Sequence, residues 1–207
     1  HENSSAASDV YKRQDRELYL EGNYHTSRLV DGTVRSVTHL WSNVNGIRNW
    51  VDLPEGYWSE EGKAKIEIWN QSVAETIEHN NGIISSLTLE DFAPQMYENV
   101  ESGVFVYPAS SHDCSEYSAS EYSAGRGFTT IMTLDLFGDD LEMEVDHITS
   151  SWAHVYSSQD MLILAEPAND WWWFWRNSDW DDATNIHSFD ISEPGYTQYI
   201  GSGRVDG

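Results

Sequence analysis

The run NDWWWFWRNSDWDDATN, residues 169–185, crowds five tryptophans into residues 171–180 and sets acids beside them. Indole rings offer flat apolar faces, and carboxylates offer acceptors for hydroxyls or oxygens for Ca²⁺. Trp171, Trp173, Trp175 and Trp180 are therefore candidate ligand-binding residues, and Asp179, Asp181 and Asp182 are candidate Ca²⁺ ligands. The acids lack the glycine and closing glutamate of an EF-hand loop. The plainer reading is burial. A strand with Trp171, Trp173 and Trp175 on one face shows Trp172 and Phe174 on the other, and two apolar faces call for cover. The acidic turn at Asp139, Asp140 and Glu142 carries the same choice between a Ca²⁺ loop and a solvated hairpin end.

Other chemistries find less support. His25, His39, His79, His112, His147, His154 and His187 show no HExxH spacing and read as structural residues. No GxSxG elbow occurs among the serines. Carboxylates are too numerous for a glycosidase pair to be singled out. No catalytic residue is therefore assigned. The single cysteine, Cys114, permits neither a zinc pattern nor an internal disulfide. It is read as buried, or as partner to a cysteine beyond this sequence.

Charge narrows the partners. Asp and Glu number 35 against 11 Lys and Arg, for a net charge of −24. Nucleic acid is excluded, because phosphate binding needs a basic footprint. An anionic membrane surface repels such a chain. What remains is a salt-adapted protein, a calcium-rich extracellular protein or a merely solvated surface. No apolar run approaches the ~18 residues of a membrane span.

The elements that must position these groups are strands. ELYLEG (17–22), TVRSVTHLW (33–41), GVFVYP (103–108), FTTIMTLDL (128–136), LEMEV (141–145), DMLILAE (160–166), TNIHSFDIS (184–192) and YTQYIGSG (196–203) are alternating or β-branched. One helix is expected near 60–80, with Ile66, Trp69, Val73 and Ile77 on its apolar face. Ser59 is its cap, and Asn80-Asn81-Gly82 its stop. The strands also repeat. HTSRLVDGTVRSVTH, TTIMTLDL and LEMEVDHITSS line up with HVYSSQDMLILAEP, TNIHSFDI and YTQYIGSGRVDG, so that Asp135 matches Asp190. Each unit has four strands, with an excursion between its second and third. Tandem four-strand units suggest propeller blades whose excursions leave from one face. Two four-stranded antiparallel blades are expected, with residues 16–22 at their edge as the last strand of a preceding unit, because RELYLEG resembles the closing strand YTQYIGSG.

LEGNYHTSRLVDGTVRSVTH (20–39), DCSEY (113–117), AHVYSSQDMLILAEP (153–167), WWWFW (171–175), TNIHSFDIS (184–192) and IGSGRVDG (200–207) together resemble secreted bacterial and archaeal proteins with a C-terminal β-propeller distantly related to WD repeats. The resemblance covers most of residues 16–207. It implies an all-β partial propeller over 15–207 with a helical insertion at about 40–127, and an extracytoplasmic location. It carries over no catalytic residue. The strand expected after SGRVDG is missing, so the chain reads as a fragment of an unclosed propeller. SSAASDVYKRQ, residues 4–14, matches without a mismatch the translation of a transposase-type sequencing primer. Residues 1–14 are accordingly set apart from the fold as artefact or disorder.

The expected function is a non-catalytic extracellular binding or scaffold module for a protein or glycan ligand. A carbohydrate-active or sugar-binding protein with a Trp-lined cleft, and a calcium-stabilised surface protein, are the alternatives.

Overall fold

A computed structural model describes residues 17–91, 93–100, 102–109, 114–121, 125–138, 143–168 and 183–206. Twelve strands and one long helix run in chain order among these residues. They are β1 (Glu17–Leu20), β2 (Asn23–Val30), β3 (Thr33–Trp41), α1 (Gly62–Ile84), β4 (Gln95–Val100), β5 (Gly103–Pro108), β6 (Tyr117–Ala119), β7 (Gly127–Asp135), β8 (Met143–Ser150), β9 (His154–Ser157), β10 (Met161–Pro167), β11 (Ala183–Asp190) and β12 (Gln198–Asp206). They fall into two compact units. One holds the segments up to Trp41 and from Pro94 onward, and the other is Ser42–Ala93.

The first unit contains the repeat. One sheet runs β2-β3-β7-β8, antiparallel, with the short β6 added in parallel to β8. A second runs β9-β10-β11-β12. The strand carrying Asp135 and the strand carrying Asp190 are thus both third in their blades. Asp135 pairs with Thr33, the first residue of β3, and Asp190 pairs with Met161, the first residue of β10. Each aspartate also makes the same turn. Its Oδ1 accepts the backbone N–H two residues on, from Phe137 and from Ser192, at 2.9 Å in both cases. Short acceptors of this kind favour a turn over strand continuation.

Strand alternation sorts the core. Val37, Ile131 and Ile148 on one face of the first blade pack with Leu162, Leu164, Phe189 and Ile191 of the second. The other face of the first blade, through Met132, Met143 and Val145, packs on Leu18, Leu20, Met96 and Tyr107. Those residues belong to a third sheet, β1-β4-β5. The sequence expects residues 16–22 beside the two blades as the last strand of a preceding unit, and Glu17–Leu20 forms an edge of this third sheet. β4 is not legible in the sequence, because QMYENV carries polar side chains at both faces of a strand that is buried chiefly through Met96.

A polar clasp joins the two blades. Arg35, 4% exposed, donates to Thr197 Oγ1 at 3.2 Å and to the carbonyls of Glu193 and Tyr196 at 2.9 and 2.8 Å. The Thr197 N–H in turn donates to Glu144 Oε2 at 2.7 Å.

The unit Ser42–Ala93 is built on α1. The helix begins at Gly62 with Glu61 as its N-cap and no side-chain cap bond, so Ser59 does not cap it and lies in a short 3-10 turn, Tyr57–Ser59. It passes through Asn80-Asn81-Gly82 and ends at Ile84. The expected apolar face is also not the one that packs best. Ser72 and Thr76 are its buried residues, whereas Ile66 and Ile77 are more than half exposed. The Thr76 hydroxyl donates to the Ser72 carbonyl at 2.8 Å within the helix. Further along, Asn80 meets the loop at 46–48: the Arg48 N–H donates to Asn80 Oδ1, and Asn80 Nδ2 donates back to the Arg48 carbonyl, both at 2.9 Å.

Candidate functional site

Both excursions leave from carboxyl ends of second strands. The first leaves after Trp41, which pairs with Gly127, and the second after β10, where Pro167 pairs with Thr184 and the Ala168 N–H donates to the Ala183 carbonyl at 2.9 Å. Trp171, Trp173, Trp175, Trp180, Asp179, Asp181 and Asp182 lie in the second excursion, outside the described residues, as do Asp139, Asp140, Glu142 and His112. Among the described residues no group of three His, Cys, Asp or Glu side chains stands ready to hold a metal ion.

What the structure brings together at this end is a different set: His25, His39, Trp41 and Trp152. The β2–β3 register slips between Tyr24 and Thr26, leaving His25 as the extra residue of a bulge. Bulges re-aim side chains. The His25 ring stacks on Trp152 with centroids 4.8 Å apart. His39 meets Trp41 and Trp152 edge-on, at 4.6 and 5.7 Å. His39 itself is 1% exposed. Its Nδ1 lies 3.0 Å from Thr129 Oγ1, which lies 2.6 Å from Ser150 Oγ. The Nε2 atoms of His25 and His39 are both enclosed and, among the described residues, without a hydrogen-bond partner. Burial lowers the His39 pKa, with the Glu166 charge acting against that shift and His25 adding slightly to it. Trp41 and Trp152 remain 48% and 39% exposed, so the cluster shows aromatic surface outward and encloses the imidazole Nε2 atoms.

The approach here is close. A Cβ on Gly127 would stand 2.3 Å from the Leu40 carbonyl oxygen and 3.0 Å from His39 Nε2, which restricts position 127 to glycine.

Beside this cluster runs a hydrogen-bonded chain through the second blade. His187 Nε2 lies 3.0 Å from Glu166 Oε1, both side chains enclosed. His187 Nδ1 lies 2.5 Å from Ser202 Oγ, and Ser202 Oγ lies 2.5 Å from the Tyr199 hydroxyl. The Ser151 N–H donates to Glu166 Oε2. One direction satisfies every member when the carboxylate is ionised and the ring neutral. Tyr199 donates to Ser202, Ser202 to His187 Nδ1, and His187 Nε2–H to Glu166. The order serine, histidine, acid is that of an acyl-transfer relay. Here the imidazole is sealed between strands, so the groups bolt β10, β11 and β12 to the segment after β8.

The cleft between the blades lined by Thr26, Arg28, Arg35, Val37, Val155, Ser157 and Leu162 has ≈ 40 Å³ of water-sized space. That is room for water and not for an organic ligand.

Residues 5–207 match the family described as Beta propeller domain. The chain belongs to that family. No curated protein and no solved structure matches it. The chain is thus a partial β-propeller, mostly strand, with one helix. Among the described residues no helix is long and apolar enough to cross a membrane.

Sequence reasoning passes over Trp41, Trp152 and Glu166, and takes His39 only as a structural residue. The signals are present. HLW closes β3, and a glutamate interrupts the apolar run MLILAEP of β10.

Proposed function

We propose that this propeller is a non-catalytic, extracytoplasmic binding module. Its binding face is the end from which both excursions leave, and its ligand class is a neutral glycan. One observation carries this reading: Trp41 and Trp152 keep half-exposed rings around enclosed histidines at that end. Tryptophan faces stack on the apolar faces of sugar rings, and concave sites combine such rings with few polar groups. A chain at −24 repels anionic ligands, and burial disfavours the charged form of His39 that would counter that field. The resemblance to secreted propellers supports a location outside the cytoplasm. The tryptophans of 171–180 belong to the excursion rooted at Ala168 and Ala183, and the proposal includes them as further stacking groups.

A glycan array probed with the full chain tests the reading. Retention of a neutral glycan, weakened about tenfold by Trp41→Ala with an unchanged melting temperature, supports it. An empty array removes the glycan and leaves a protein scaffold.

A further inference from the structure

Arg28 and Arg35 are direct partners in the β2–β3 register, so both side chains leave the same face of the sheet. Like charges set directly opposite destabilise a sheet. The chain holds only 11 lysines and arginines against 35 acids, so an abundance of cations does not account for the pair. Among the described residues no carboxylate lies within 4.0 Å of either guanidinium.

Their protein partners are neutral. Arg28 Nη1 donates to the Ser157 carbonyl at 2.8 Å. Arg35 places Nε and Nη2 on Thr197 and on the carbonyls of Glu193 and Tyr196. A guanidinium has five N–H groups, so donors remain on Arg35 Nη1 and on Arg28 Nε and Nη2. Glu144 shares their cross-strand row through Thr133, but it lies two strands from Arg35, and its carboxylate already holds the Thr197 N–H. Two strand spacings put its backbone roughly 10 Å away. Burial lowers the Arg35 pKa more than that charge raises it.

Both arginines line the cleft between the blades, together with the apolar Val37, Val155 and Leu162, and Thr26 adds a hydroxyl to the lining. Arg35 is buried and Arg28 exposed, so the cleft leads from an enclosed cation to solvent. Its ≈ 40 Å³ exceeds the about 10–15 Å³ that one water needs and falls far below an organic ligand's pocket.

We infer that Arg28 and Arg35 hold a halide-sized anion, chloride, between the two blades. An anion there converts their repulsion into charge-assisted contacts, and apolar walls strengthen those contacts by lowering the local dielectric. The net charge of −24 opposes anions at long range. That field is screened beyond about 8 Å at physiological salt, whereas the two guanidiniums act at contact. The size of the space selects a halide over a carboxylate carried on a sugar or peptide. Arg35 precedes His39 by four residues on β3, so this site is separate from the histidine cluster, and the inference is independent of the glycan reading.

Melting of the full chain at a fixed ionic strength of about 0.5 M, with gluconate exchanged stepwise for chloride, tests it. Gluconate is too large for the cleft. The expected result is a rise of about 3–5 °C once chloride is tenfold above its dissociation constant. Arg28→Gln abolishes the rise, whereas Lys63→Gln, the same charge change on α1, keeps it. Chlorine-35 relaxation of the same samples shows excess line broadening in the unaltered chain and in Lys63→Gln, lost in Arg28→Gln and on addition of bromide. If Arg28→Gln does not fold, Arg28→Lys decides: it keeps the charge but loses the fork, and it retains only part of the rise. The inference is overturned if the Arg28 variant and the unaltered chain respond alike to chloride in melting, or broaden the chlorine-35 line alike.

Discussion

Arg35 Nη2 donates to the Tyr196 carbonyl at 2.8 Å, from the first blade into the β11–β12 loop of the second. The same nitrogen reaches the Glu193 carbonyl, and Nε reaches Thr197. Burial lowers the Arg35 pKa, and the nearby Glu144 charge acts in the opposite sense. Arg35→Ala strips these donors from two carbonyls at the blade interface and from the Thr197 hydroxyl, which keeps Thr133 Oγ1 at 2.7 Å. Each orphaned buried group costs about 1–3 kcal/mol, so a loss of roughly 3 kcal/mol in urea unfolding is expected. Arg35→Lys, with a single ammonium, recovers part of it. A loss below about 0.5 kcal/mol in the alanine variant means that the clasp does not hold the blades.

Glu166 is enclosed against His187 and the Ser151 N–H. Glu166→Ala leaves an imidazole N–H and a backbone N–H without acceptors, and costs about 2–4 kcal/mol, the desolvation penalty of two orphaned donors. Glu166→Gln keeps one carbonyl acceptor and costs less. Ser202→Ala removes the hydroxyl between Tyr199 and His187, at about 1 kcal/mol. Chemical denaturation of the three variants checks this order, with Glu166→Ala the most damaging, Glu166→Gln next and Ser202→Ala the least.

The blade repeat was legible because Asp135 and Asp190 sit in strands of the same alternating pattern, each followed by a turn. Propeller geometry also explains where the repeat looks imperfect. Ile131 and Thr133 are fully buried, while their counterparts Ile186 and Ser188 are half-buried. The first pair lies on the face that the second blade covers. The histidine cluster was not legible, because a bulge at His25 is a register event between strands and leaves no mark on one strand's alternation. The buried positions of α1, Ser72 and Thr76, escape the sequence because hydrophobic spacing gives polar residues no weight, and Thr76 satisfies its hydroxyl on the Ser72 carbonyl.

Asp146 and His147 are neighbours with opposite pH behaviour. Burial, then the Glu144 and Glu116 charges, push the Asp146 pKa from 3.8 to about 7. Burial lowers that of His147 from 6.5 to about 4. A raised carboxyl binds its proton more tightly in the fold. Its contribution is full below the unfolded value and is lost as pH rises through about 7. A depressed histidine contributes fully above its unfolded value and loses that as pH falls through about 4. Glu144 shifts in the direction of Asp146, and His39 in that of His147. The opposed slopes flatten stability across this window. Asp146→Asn unmasks the histidines, so its urea midpoint falls on acidification from about pH 7 to about pH 4 more steeply than that of the unaltered chain. Parallel curves for the two proteins remove Asp146 from the balance.

Trp152 caps the histidine cluster, stacked on His25 and edge-on to His39. Desolvation is the main reason the His39 pKa is low. Trp152→Ala removes that ring and admits water to the imidazole, so the His39 pKa rises toward the ordinary value of 6.5. The ring is 39% exposed, so the stability cost is modest, about 1–2 kcal/mol, below that of a fully buried aromatic. Trp41→Ala removes the other ring that meets the same imidazole and moves the pKa the same way. Nuclear magnetic resonance titration of the His39 ring protons reads the shift directly. A His39 that titrates alike with and without both rings is kept dry by the strands alone. In that case the tryptophans are free to serve a ligand without holding the site together.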